Sequence, residues 1–112
     1  MRDFDNQYDC AIIGGGLAGL CLSVQLADAG FRVILFEKNT YPFHKVCGEY
    51  ISMESWDFLC RLGLPLREME LPGITKLGIS SPNGFMLSQA LGLGGFGISR
   101  FTLDHQLSIL AT

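Results

Sequence analysis

The sequence predicts an α/β fold that opens on a strand–helix–strand unit with its two strands parallel. Three observations carry the prediction. An apolar run from Tyr8 to Ile13 stops at three consecutive glycines, a helical pattern follows from Leu17 to Ala29, and a run rich in β-branched and aromatic residues, Phe31 to Phe36, comes directly after Gly30. Short apolar runs bounded by glycine read as buried strands, and two of them joined by a helix of about four turns close as a right-handed crossover.

Each element has a local reason. Leu17, Leu20, Cys21, Val24 and Ala27 lie along one side of the first helix, where only Ser23, Gln25 and Asp28 are polar, so most of its circumference should be covered. Gly30 suits the left-handed stop after a helix. The unit spans 8–37 and ends on Glu37. A loop, 38–51, follows, because Pro42 and Gly48 exclude regular helix. A second helix is expected over 52–62, capped by Ser52 with Glu54 in its first turn. Met53, Trp56, Leu59 and Cys60 form its apolar stripe, Asp57 and Arg61 pair at i,i+4, and Gly63 ends it. A hairpin over 74–88 runs from Ile74 to Ser80, turns at Pro82-Asn83-Gly84 and returns through Phe85 to Leu87. Leu91 to Gly97 holds four glycines in seven residues, either a close approach to a ligand or a flexible loop. In the last stretch, 98–112, Ile98 to Phe101 reads as extended, and Thr102 caps a helix with Leu103, Leu107 and Leu110 along one side. Trp56 and the methionines read as core. No internal repeat or low-complexity linker is visible.

Composition bounds the function. The 112 residues allow one small domain, and a chain 48% hydrophobic and only 17% charged is not disordered. A net charge of −3 without a Lys/Arg cluster excludes a nucleic-acid surface. So much apolar content, and only two parallel strands, leave surface that the chain cannot cover itself. The fold is therefore expected to be incomplete, its remaining strands lying beyond Thr112, or the excess is covered by self-association. Cys10, Cys21 and Cys60 sit in apolar runs as small buried hydrophobes. With no CxxC pair, and with His44 and His105 wrongly spaced for zinc, no metal is expected. Both histidines should be solvent-exposed, since neither has a carboxylate arranged for a relay. The opening Met1 to Asp5 lacks the basic segment of a secretory signal, and Cys10 to Val24 is too short and glycine-broken to be a transmembrane segment; a cytoplasmic protein is expected.

The motif that carries chemistry is Gly14-Gly15-Gly16-Leu17-Ala18-Gly19, the pattern G-x-G-x-x-G between a strand and a helix. Gly14 permits the tight turn, Gly16 lets backbone approach a pyrophosphate, and Gly19 lets the helix pack close to the sheet. The helix start offers free N–H groups and the positive end of its dipole to phosphates. Glu37, 23 residues after Gly14, stands where a carboxylate accepts hydrogen bonds from an adenosine ribose and repels a 2′-phosphate. This is a Rossmann-like FAD/NAD(P)-binding arrangement. FAD and NAD share the ADP half it addresses, so these residues alone do not choose between them.

Three stretches carry a family resemblance. Tyr8 to Gly16 (YDCAIIGGG), Lys45 to Ser52 (KVCGEYIS) and Ile98 to Leu107 (ISRFTLDHQL, containing R-x-x-L-D-x-x-L) resemble the FAD-dependent oxidoreductases of the aromatic-hydroxylase (p-hydroxybenzoate hydroxylase-like) superfamily, above all its geranylgeranyl-reductase-like branch. The resemblance implies that the chain is the N-terminal part of an FAD-binding domain, with FAD held non-covalently. Gly14, Gly16, Ala18 and Gly19 would face the pyrophosphate, and Glu37 would hold the ribose with Lys38 beside it. The backbone around Cys47, Gly48 and Tyr50 would touch the ribityl and flavin end, and Arg100 would support the dinucleotide. For Arg100 the competing reading is a solvated surface charge, and for Cys47 an ordinary loop thiol; no residue is singled out as catalytic. The resemblance further implies NAD(P)H as electron donor and a small-molecule substrate of aromatic or isoprenoid type, in a monooxygenase or a reductase. The superfamily's second FAD segment, a Gly-Asp, and its substrate-binding sheet have no counterpart in these residues. Two other readings stand beside it: an NAD-dependent dehydrogenase module, which shares only 8–37, and a non-catalytic dinucleotide-binding or interaction module with an apolar docking face.

Overall fold

Strand β1 (Cys10–Ile13) and strand β2 (Val33–Phe36) pair in parallel, Cys10 opposite Val33 and Ile13 opposite Phe36, with helix α1 (Leu17–Asp28) joining them. The computed structural model describes residues 7–112; the acidic opening, Met1 to Asp5, lies outside the described residues. Both strands begin two residues later than their apolar runs. The Asp9 carboxylate accepts the Arg32 N–H (2.8 Å), and the Arg32 carbonyl accepts the N–H groups of Asp9 and Cys10 (2.7 and 3.2 Å). Phe31 N–H closes the helix end on the Leu26 carbonyl and Gly30 N–H donates to Ala27. That pair of bonds is a Schellman stop, with Gly30 at φ +91° as the pattern requires.

A second, antiparallel sheet has the order β3–β5–β4, built from β3 (Tyr50–Ser52), β4 (Gly73–Ser80) and β5 (Met86–Gly97). Two expectations are corrected here. The segment 38–51 does not stay a loop to its end, since Tyr50 and Ile51 pair with Gly97 and Phe96. The glycine-rich stretch Leu91–Gly97 is not a loop but the inner half of β5. Its glycines serve strand crowding. A side chain at Gly95 would collide with the Tyr50 ring and the Ile51 carbonyl, and Gly94 (φ +74°) lies in a bulge that sets Thr75 of β4 against Leu91–Gly94 of β5. The hairpin itself forms as expected, with Ser81 N–H on the Phe85 carbonyl (2.8 Å) and Gly84 at φ +89° in the turn.

Helix α2 (Trp56–Leu62) follows a 3₁₀ turn over Met53–Ser55, for which the Ser52 hydroxyl accepts the Glu54 N–H. Gly63 closes it at φ +112°. The expected Asp57–Arg61 pair is not among the ion pairs of the described residues, which converge instead on Asp104. Helix α3 (Arg100–Leu110) starts earlier than expected. Its cap is Ser99, not Thr102, and the Ser99 hydroxyl accepts the Thr102 N–H at 3.1 Å. Ile98–Phe101 is therefore only half extended, and Arg100 becomes the first helical residue.

Leu20 and Val24 of α1, Leu59 and Leu62 of α2, Phe96, Ile98, Leu103 and Leu107 form one core. Leu64 and Leu66, in the turn after α2, are buried with them, which no periodicity announces. Trp56 packs edge-on to Phe96 with ring centroids 5.0 Å apart. Met53 and Met69 border the core, but Met86 is an exposed hairpin residue and not core. Cys10, Cys21 and Cys60 are half-buried free thiols, and burial pushes the Cys21 thiol up, with Asp104 adding in the same direction. The hairpin leaves this body. Leu77, Ile79 and Leu87 lie on one of its faces and are about half exposed. The long axis reaches 71 Å, with a radius of gyration of 18.1 Å, where a compact chain of this length has about 13 Å.

Candidate functional site

The glycine motif turns the chain from the C-terminal end of β1 into α1. Gly14 takes φ +104°, open only to glycine at little cost, and its N–H donates to the Phe36 carbonyl at 2.8 Å. Gly15 is pinned from both sides. Its N–H donates to Glu37 Oε2 (2.7 Å), and its carbonyl accepts the Tyr41 hydroxyl. A side chain there would collide with that hydroxyl, so this unassigned middle glycine is as constrained as its neighbours. At Gly19 a Cβ would run into the Gly14 carbonyl, the close helix–strand packing expected of it.

Gly16 differs. It caps α1 in an extended conformation (φ −79°, ψ −167°) with no side-chain cap. A Cβ on Gly16 would lie 3.2 Å from Lys45 Nζ and 3.8 Å from Arg100 Nη2. Among the described residues no protein acceptor takes the N–H groups of Gly16, Leu17, Ala18 or Gly19, the usual orphans of a helix start. The corner is thus only partly satisfied from within: the amides of Gly14 and Gly15 have protein partners, and among the described residues the next four have none.

Two adjoining clefts share Ile13, Gly14 and Gly16. One, about 370 Å³, also touches Glu37, Lys38 and Lys45; the other, about 510 Å³, touches Ala18, Gly19 and Arg100. The motif residues, Glu37, Lys38 and Arg100 therefore meet around one trough. Glu37 faces the corner, and its second oxygen accepts the Asn39 N–H at 3.1 Å. The amides of Asn39 and Gly15, with the Lys45 charge adding, hold its carboxyl below the usual carboxylate range. It is an anion at neutral pH. Each oxygen has a lone pair left for a sugar hydroxyl.

Cys47, Gly48 and Tyr50 line neither cleft. Cys47 is exposed, its Sγ accepting the Glu49 N–H at 3.3 Å, and it lies within electrostatic reach of Arg100. Gly48 has open space around it, and the Tyr50 ring lies over Gly95.

Arg100 is not a solvated surface charge. Its side chain is 20% exposed and forks onto Asp104, Nε to Oδ1 at 2.8 Å and Nη2 to Oδ2 at 3.1 Å. Those bonds hold the guanidinium charged, with burial opposing and the Cys47 thiol assisting weakly. A cation at a helix start needs an anion nearby, and Asp104 supplies it from inside the protein. Asp104, 2% exposed, and Lys45, whose Nζ is 3.8 Å from Asp104 Oδ2, are the residues that sequence reasoning missed. The available signal was the i,i+4 spacing of Arg100 and Asp104, with Asp104 between Leu103 and Leu107 on the apolar side.

His44 is exposed and stacks on Phe101 at 4.5 Å. His105 is half-buried, not exposed: its Nδ1 has no partner and it borders a cavity of about 530 Å³ with Leu35, Glu37, Tyr41 and Ser108. No group of residues able to hold a metal occurs among the described residues, and no described helix is long and apolar enough to cross a membrane.

Comparison with known proteins places this geometry. Residues 12–61 match the family of NAD(P)-binding Rossmann-like domains, which agrees with the α/β class that the parallel strand–helix–strand unit defines. The conditioned medium factor receptor 1 of Dictyostelium discoideum is 35% identical over 85 residues, 73% of this chain and 17% of that protein. The digeranylgeranylglycerophospholipid reductase of Sulfolobus acidocaldarius is 33% identical over 63 residues, 53% of this chain and 13% of that protein. The flavin-dependent brominase Bmp2 shares the fold with a TM-score of 0.74 at 22% identity, over 93% of this chain and 27% of that one. The chain thus shares a Rossmann-like fold with these proteins, the reductase by sequence over about half of this chain and the brominase by fold alone. It spans 17% or less of the length of these curated relatives.

Proposed function

We propose that this chain binds the ADP half of FAD within a flavin-dependent oxidoreductase, NAD(P)H reducing the flavin. The observation that carries the reading is the trough over Gly16: side-chain-free backbone, amides without a protein acceptor, two cations beside it and an ionised Glu37 at one end. A diphosphate suits the first three and a ribose the fourth, so the residues fit the nucleotide. The amides of Gly16, Leu17 and Ala18 and the Arg100 guanidinium would hold the phosphates. Glu37, fixed by Gly15 and Asn39, would orient the sugar and repel a 2′-phosphate. Gly14 and Gly19 shape the corner without needing to touch the ligand. Cys47, Gly48 and Tyr50 would border the flavin end. Bound flavin supplies the hydride and electron chemistry, and the chain's own work is to bind and orient it. The substrate is a small molecule of aromatic or isoprenoid type, and the site of action is the cytoplasm. Self-association or further polypeptide would cover the exposed hairpin face.

Purified protein should be yellow, with a flavin absorbance spectrum released on denaturation, alongside an intact mass that excludes covalent attachment. The match of residues 12–61 to NAD(P)-binding domains favours a second reading, an NAD-dependent dehydrogenase module. Colourless protein that binds NADH and not FAD would select it.

A further inference from the structure

We propose that Lys45 is a second diphosphate-binding cation and that Asp104 is the positioning residue that aims Lys45 and Arg100 together at the space above Gly16. The inference rests on the dinucleotide reading above and assigns residues that the glycine motif does not name. Lys45 comes from the loop after β2 and Arg100 from the start of α3, yet both address the same oxygen, Asp104 Oδ2, at 3.8 and 3.1 Å. Asp104 cannot swing away. It is 2% exposed and flanked on its helix face by Leu103 and Leu107, both fully buried. Asp104 is shared by two cations, and Glu37, whose charge also reaches Lys45, accepts the Gly15 and Asn39 amides with its oxygens, so the Lys45 charge has no close partner of its own. The Gly16 Cβ position, 3.2 Å from Lys45 Nζ and 3.8 Å from Arg100 Nη2, marks where that charge points.

Donor capacity agrees. Among the described residues Lys45 Nζ makes no hydrogen bond; its partners are the Asp104 and Glu37 charges and the Phe43 ring, whose centroid is 5.3 Å away. A lysine pair of that length with a side chain 32% exposed adds little to stability. A dianionic diphosphate over Gly16 would use the free ammonium donors, whereas an uncharged nucleoside would gain nothing from them.

The test is calorimetric binding of ADP and of adenosine to the intact protein and to K45M, K45R and D104N, with thermal unfolding recorded alongside. Loss of one charge-assisted contact corresponds to roughly 10- to 100-fold in affinity. K45M should lose that much for ADP and stay within about twofold for adenosine, with K45R restoring most of it. D104N should lose at least as much for ADP with adenosine again unchanged, a split that general destabilisation does not produce. If K45M binds ADP like the unaltered protein, or loses ADP and adenosine in parallel, the Lys45 assignment is overturned while the dinucleotide reading stands. If the unaltered protein binds no ADP, both fall. K45M alters a partly exposed side chain, so the test survives even if D104N fails to fold.

Discussion

Gly16→Val separates a ligand site from a folding device. Gly16 has φ −79° and ψ −167°, extended backbone that valine adopts readily. The nearest atoms to the new side chain are the far ends of Lys45 and Arg100, at 3.2 and 3.8 Å for the Cβ, and both can move aside. Unfolding free energy should therefore change by less than about 1 kcal/mol. The ligand suffers instead. The branched side chain fills the space beside the unpartnered amides and would displace a phosphate from two charge-assisted contacts, each worth about 1.5–3 kcal/mol. A net loss of about 3 kcal/mol, roughly 100-fold in ADP affinity, is expected by titration calorimetry. Gly14→Ala is the control: at φ +104° it should cost about 1–2 kcal/mol of stability. ADP binding to G16V within threefold of the unaltered protein would refute the phosphate-corner reasoning.

The other predictions concern the supports of the corner. Glu37→Gln should weaken ADP and adenosine alike, by about 1–3 kcal/mol, since the ribose is common to both. Glu37 has a folded pKa below its unfolded value. Its contribution to stability is therefore present above an unfolded pKa of about 4.3 and is lost as pH falls through the lower folded value. Denaturant midpoints from pH 6 to pH 3 should fall less steeply in E37Q. Gly15→Ala should be strongly destabilising alone but less so beside Tyr41→Phe, because the collision is with the Tyr41 hydroxyl; additive costs in a double-mutant cycle would count against that contact. Leu103→Ala, at a site with no exposure, should lower unfolding free energy by about 3 kcal/mol, read from urea unfolding.

What the sequence showed was whatever local chemistry determines. The strand–helix–strand unit, the Gly30 and Gly63 stops and the hairpin turn at Gly84 are set by residues within one or two turns of themselves, so pattern reading found them. The misses are long-range. Tyr50 becomes a strand because β5 lies beside it, and Leu91–Gly97 reads as loop chemistry until three strands are seen to crowd one another there. Ser99 and Thr102 are both good caps, and only the structure shows Ser99 closing the helix. That shift makes Arg100 helical and brings Asp104 beneath it. Lys45 was legible as a charge but not as a neighbour of Gly16, because a loop's path is not written in its composition.

The projecting arm has a consequence of its own. From Gly73 to Gly97 the only charged residue is Lys76, and among the described residues no strand pairs with the outer edge of β4 or, over Met86–Ala90, with the edge of β5 turned away from β4. A ladder with bare rims and so few charges is a template for further strands. Left uncovered, it should drive concentration-dependent aggregation, and a second charge at Ser80 or Ser88 is the simplest way to keep the protein in solution.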